Sequence, residues 1–143
     1  MTPDHVFSIS NSFAMAGWII LIFLRFWKTR DRYVFGIIIL LLAATYSWLI
    51  FSNISGDVFR NFSTLSGVSE LFANKNLLLA GWIHYLAFDL LAGIYIINNA
   101  AKNNINHWMI SPLLLLTFLF GPAGLLLYYL VRWIRTKNFF AEF

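Results

Sequence analysis

The stretch Leu77–Ile97 constrains this chain more than any other, because it is apolar over a bilayer-spanning length and yet holds His84 and Asp89 in its interior. In hydrocarbon a backbone satisfies its polar groups only as a helix or a closed barrel, so the segment reads as a transmembrane helix. A carboxylate at that depth costs at least ~2.5 kcal/mol even on the gentlest insertion scale. It needs a polar partner or a cavity, and intramembrane ionisable residues are functional candidates by default. The run Gly81-Trp82-Ile83-His84-Tyr85-Leu86-Ala87-Phe88-Asp89 puts three aromatic residues at the same depth.

Only 11% of the 143 residues are charged, while 60% are hydrophobic and 19% aromatic. A soluble domain carries roughly 25% charged residues. The reading is an integral, multi-pass membrane protein with one transmembrane domain over residues 1–143. The absence of cysteine excludes a thiolate nucleophile, an iron–sulfur cluster and thiol-ligated zinc. The +4 net charge flanks the apolar segments and suits anionic lipid headgroups, not nucleic acid. No basic residue precedes the first apolar segment and no small-x-small site follows it, so a cleaved signal peptide is not expected.

The fold predicted is an all-α four-helix membrane bundle with spans at about 6–27, 33–51, 77–97 and 110–131. A basic cluster (Arg25, Lys28, Arg30, Arg32) separates the first two. The loop from Ser52 to Asn76 contains Gly56-Asp57, Gly67 and the mildly amphipathic piece Val68–Phe72. An Asn-rich linker from Asn98 to His107 leads to the last span, which Arg132, Arg135 and Lys137 close. Four crossings divide the Lys and Arg residues evenly between the two sides, so the positive-inside rule gives a tie. The dense first loop favours a cytoplasmic placement for that loop and outside placement for both termini. Ala16-Gly17-Trp18-Ile19 recurs as Ala80-Gly81-Trp82-Ile83, an echo read as coincidence because the second and fourth spans share nothing comparable.

Helical geometry places Trp82, Tyr85, Asp89 and Ala92 on one stripe and His84, Phe88, Leu91 and Tyr95 on its neighbour. Asp89 and His84 lie roughly 140° apart around the axis and ~7.5 Å along it, too far to bond directly. They can instead flank a long ligand from different angles. The bland alternative is that Asp89 bonds a polar group of another helix and His84 donates to a backbone carbonyl. Asn11, Tyr46 and Thr117 are further polar groups at plausible depth, each also readable as an interhelical hydrogen bond. Gly121-Pro122 is expected to kink the fourth span and free the carbonyl of Phe118. Trp27, Trp108, Trp133, Tyr128 and Tyr129 fit an interfacial aromatic belt. His5, His84 and His107 show no metal-ligand spacing, and there is no phosphate loop or nucleophile elbow. Neither a metal nor a cofactor is expected.

Gly81-Trp82-Ile83-His84-Tyr85-Leu86-Ala87-Phe88-Asp89-Leu90, with Leu116-Thr117-Phe118-Leu119-Phe120-Gly121-Pro122-Ala123-Gly124-Leu125, resembles the abscisic-acid-deficient-four-like family. This is the plant neoxanthin synthase group and its bacterial relatives. The resemblance implies a membrane isomerase acting on a carotenoid or related isoprenoid, in plants the conversion of an epoxy-carotenoid into an allenic one. It implies His84 and Asp89 as the proton-transfer pair, with Trp82, Tyr85, Phe88 and Tyr46 lining a polyene channel beside Asn11 and Thr117. The chain has no plastid transit peptide and carries the Asn-rich linker, which points to a bacterial inner membrane. The expected substrate then widens to another carotenoid or apocarotenoid. Opening a 5,6-epoxide to an allenic alcohol needs an acid at the epoxide oxygen and a base for the C7 proton. A neutral Asp89 can be the acid and a neutral His84 the base, or the reverse. Two other readings stand beside this one: a non-catalytic carotenoid or isoprenoid binder serving a pigment complex, and a small proton-coupled transporter using Asp89. The expected partners are a lipid-soluble isoprenoid and membrane lipids, with a homo-oligomer allowed and nucleic acid excluded.

Overall fold

Capping residues in the sequence set most of the helix starts. Thr2 accepts from the His5 backbone N–H and Pro3 opens α1 (Pro3–Phe23), where its missing N–H costs nothing. Asn74 accepts from the Asn76 and Leu77 N–H groups at the start of α4 (Lys75–Lys102), and Asn106 caps α5 (His107–Phe120) through the Trp108 N–H. Between α1 and α4 lie α2 (Arg30–Asn53), a helical turn at Val58–Asn61, and α3 (Leu65–Ala73). The chain ends in α6 (Pro122–Thr136). This computed structural model describes residues 2–53 and 58–140, and the Gly56-Asp57 pair of the second loop lies outside them. The described residues are all helix and connection.

Helix α4 is the centre of the molecule and packs against α1, α2, α3, α5 and α6. Its buried Ile83, Leu90 and Ile96 meet Trp18 and Leu21 of α1, Val34 and Ile38 of α2, and Ile110 and Leu114 of α5. In α2 the segment Val34–Ile39 is a π-helix. Its wider turn suits buried positions that step by four, Arg30, Val34, Ile38 and Leu42, and keeps them on one face. The amphipathic piece of the second loop becomes α3, whose Leu71 packs with Leu77 and Ile50. The Asn-rich linker is a tight reversal, with Asn104 in the left-handed region at φ 54° and the Ile105 N–H on the Ala100 carbonyl at 2.9 Å.

The stretch expected to form one span at 110–131 folds differently. It is two antiparallel helices, α5 and α6, reversing at Gly121-Pro122. Arg135 Nη2 reaches Met109 Sδ at 3.3 Å, which a continuous helix would place ~39 Å apart. Two approaches enforce the reversal. A Cβ on Gly124 would fall on the backbone and hydroxyl of Thr117, so only glycine lets α6 fold back so closely. Farther along, the Tyr128 hydroxyl donates to Asn99 Oδ1 at 2.7 Å in a fully buried contact with α4. The Gly-Pro pair is therefore the tip of a hairpin and not a kink.

This reversal also corrects the placement of the termini. The start of α1 shares a cleft with Lys75, whereas the end of α6 lies beside the start of α5. The two termini thus sit at opposite ends of the molecule, not on one side. Arg25, Lys28, Arg30, Arg32, Lys102, Arg132, Arg135 and Lys137 gather at one end, leaving only Arg60 and Lys75 at the other. The even division expected from four crossings does not arise.

Candidate functional site

Asp89 sits halfway along α4 on the face turned towards the α5–α6 hairpin, and it is 7% exposed. Its carboxylate lies against Gly121, and a Cβ there would collide with Oδ1. The acid is thus brought to the hairpin tip, beside the first turn of α6, where the partial positive charge of a helix start favours an oxygen-rich group. Its Oδ2 is buried and has no hydrogen-bond partner among the described residues. Tyr85, one turn earlier, is close by, but its hydroxyl donates to the Leu119 carbonyl at 3.1 Å. The helix end at Phe120 leaves its last carbonyls without intrahelical partners, and Tyr85 occupies that of Leu119.

A cleft of about 660 Å³ opens at this point between α4 and the hairpin. Asp89, Gly121 and Pro122 form its inner end, while Phe88, Leu91, Ala92, Ile94, Tyr95, Leu125 and Tyr129 make the walls. Phe88 and Leu91 at the rim are 58% and 38% exposed, so the cleft opens sideways on the apolar surface. Its size lies within the range of small-molecule sites, and a mostly apolar wall around one acid is the usual composition of such sites.

The residues singled out in the sequence divide into four groups. Asp89 and Phe88 belong to the cleft. Trp82 and Tyr85 do not line it; they form a ring ladder with Phe7, at centroid distances of 5.9 and 5.5 Å, and Trp82 Nε1 donates to Asn11 Oδ1 at 3.0 Å. Trp82 instead borders a smaller cleft of about 310 Å³ with Phe7, Asp4 and Lys75. His84 is exposed on another face of α4, stacked on Phe88 at 4.5 Å and tilted against Tyr46 at 5.5 Å. It does not meet Asp89. Thr117 is fully buried, donates to the Leu113 carbonyl at 2.7 Å, and seals the hairpin crossing against Gly124.

Leu125 and Tyr129, the latter an interfacial-belt residue by its place in the sequence, also form the cleft wall. The signal that would have placed them is the Gly-Pro pair itself, had it been read as a reversal. Trp18 and Trp82, the matching residues of the internal echo, differ in environment: Trp18 is 2% exposed and Trp82 41%. Among the described residues no group of three or more His, Asp or Glu side chains is placed to hold a metal ion.

Three helices, α1, α2 and α4, are long and apolar enough to cross a membrane, and large apolar side chains cover their outer faces. The class these features point to is a helical membrane protein with a side-opening apolar cleft and one buried acid. Comparison with protein families is more specific: the model of the ABA DEFICIENT 4-like family matches residues 5–128, and the chain belongs to that family. That membership suggests a carotenoid-related membrane protein. No curated protein and no solved structure matches the chain.

Proposed function

We propose that this chain is a cofactor-independent isomerase of a carotenoid or related isoprenoid, with Asp89 as its proton-transfer group. The observation that carries the reading is the Asp89 carboxyl, buried at the inner end of a lipid-side apolar cleft with Oδ2 unpartnered among the described residues. The cleft suits the ring end of an elongated substrate. The polyene leaving it passes over Phe88, on whose ring His84 stacks. Aromatic faces along that path stabilise positive charge developing on the polyene.

A single carboxyl can serve both halves of an epoxide-to-allene isomerisation. In its protonated form one oxygen gives its proton to the epoxide oxygen as the C6–O bond breaks. The other oxygen takes the C7 proton, and the C7–H electron pair becomes the new C6=C7 bond. Asp89 ends with the proton count it began with, and no redox partner is needed. His84 then contributes to holding the polyene and not to the proton transfer.

A non-catalytic carotenoid binder is the second reading, favoured by the placement of His84 outside the cleft. The two separate on Asp89→Asn, which keeps the size of the side chain and one acceptor but cannot transfer a proton. Measured as product per folded protein in a carotenoid-producing cell, Asp89→Asn lowers turnover by ~10²–10⁴-fold while pigment stays bound. His84→Ala lowers it by ~10-fold or less, the scale of one lost contact of about 1.4 kcal/mol. Pigment retained by the wild type without turnover would establish the binder. Neither pigment nor product would sink both readings.

A further inference from the structure

The basic end of the molecule holds a separate pocket of about 370 Å³, lined by Arg25, Arg30, Asn106 and His107 above Ile97 and Ile110. Its His107 edge lies ~20 Å from Gly121, at the opposite end of α5 from the hairpin tip. Arg30 is 6% exposed, an unusual depth for a guanidinium. Its Nη2 donates to His107 Nδ1 at 3.4 Å. The other ring nitrogen of His107, Nε2, lies 2.9 Å from the Ile22 carbonyl and donates to it. The imidazole is thereby held in the tautomer whose Nδ1 accepts, and it fixes the guanidinium in place. Arg30 Nη1 is buried and has no hydrogen-bond partner among the described residues.

A buried cationic donor left unfilled is costly, and a ligand acceptor removes that cost. The neighbouring acid, Asp31, accepts from Asn98 Nδ2 at 3.3 Å. Two more features favour an anion. Arg25 sits over the Phe26 and Trp108 rings at 4.5 and 5.3 Å, and the start of the 14-residue helix α5 contributes Asn106 and His107 to the lining.

We propose that this pocket binds a phosphoryl group, carried by an anionic phospholipid headgroup or present as free phosphate. The surroundings favour the lipid. Phe26 and Trp108 are 82% and 68% exposed beside the pocket, as suits side chains resting among acyl chains and headgroups, and most of the basic residues gather at this end.

The test uses the full chain purified in an uncharged detergent, with native mass spectrometry and thermal melting as readouts. Phosphatidylglycerol, a phosphate-free glycosyl diacylglycerol and inorganic phosphate are added separately. Retention of phosphatidylglycerol with a raised melting temperature is expected, and the glycolipid has no such effect. Arg25→Gln weakens retention about 5-fold, and Arg30→Gln by ~10-fold or more. If inorganic phosphate alone raises the melting temperature and competes with the lipid, free phosphate is also a ligand of the site. If Arg30→Gln fails to fold, Arg25→Gln decides. Equal retention of the glycolipid, or wild-type binding by Arg25→Gln, overturns the proposal, as does binding of neither phosphate nor phosphatidylglycerol.

Discussion

Two glycines carry more of the architecture than their size suggests. Gly124 lets α6 lie directly on the Thr117 backbone, and Gly121 leaves room for the Asp89 carboxylate. A methyl group at either position has no free space. Gly124→Ala must push two helices apart and is expected to cost about 1–3 kcal/mol, the range for overpacking a close contact. Melting of the detergent-solubilised variant checks this, and an unchanged midpoint would mean that the hairpin adjusts freely. Asp89 was legible as a buried acid from its place in Leu77–Ile97, because hydrocarbon penalises an exposed carboxylate wherever its helix packs. Its neighbour at the hairpin tip was not legible, since no periodicity in α4 encodes where residue 121 arrives.

At the scale of elements, the question is why Ile110–Val131 reverses when its hydropathy allows a straight crossing. Proline alone removes one helical hydrogen bond and is tolerated inside membrane helices. Here it opens α6 as that helix's first residue, where the missing N–H is harmless, and the reversal is held by contacts with other parts of the chain. Tyr128 bonds Asn99, and Arg135 meets Met109. The protein has no native cysteine, so a paired substitution gives a clean test. Met109→Cys combined with Arg135→Cys is expected to cross-link readily with a short bifunctional maleimide. Failure of the pair to link, with each thiol reactive alone, would restore the single continuous span.

At the scale of the whole molecule, three helices long enough to cross a membrane and a hairpin that turns back leave the basic residues segregated to one end. By the positive-inside rule that end is expected to face the cytoplasm. Single substitutions Lys28→Cys, Lys75→Cys and Lys137→Cys test this with a membrane-impermeant maleimide on intact spheroplasts. Lys75→Cys is expected to label directly, and the other two only after permeabilisation. Opposite labelling of Lys28→Cys and Lys137→Cys would contradict the hairpin, whichever way the protein is inserted. That orientation would turn the Arg30 pocket towards the more anionic leaflet and the Asp89 cleft towards the hydrocarbon.

The sequence by itself determined the three long helices, their apolar length and the burial of Asp89, because these depend on local hydrogen bonding and on transfer from water to an apolar medium. It also carried the motifs by which the family is recognised. Only the tertiary structure decided that Gly121-Pro122 turns the chain back, that His84 and Asp89 face different surroundings, and that Arg30 meets His107 across 77 positions of sequence. The physical reason is that helical periodicity relates residues on one element, whereas the direction taken at a break is set by contacts between elements. Gly124 on Thr117 and Tyr128 on Asn99 are such contacts, and neither is written in the period of any single helix.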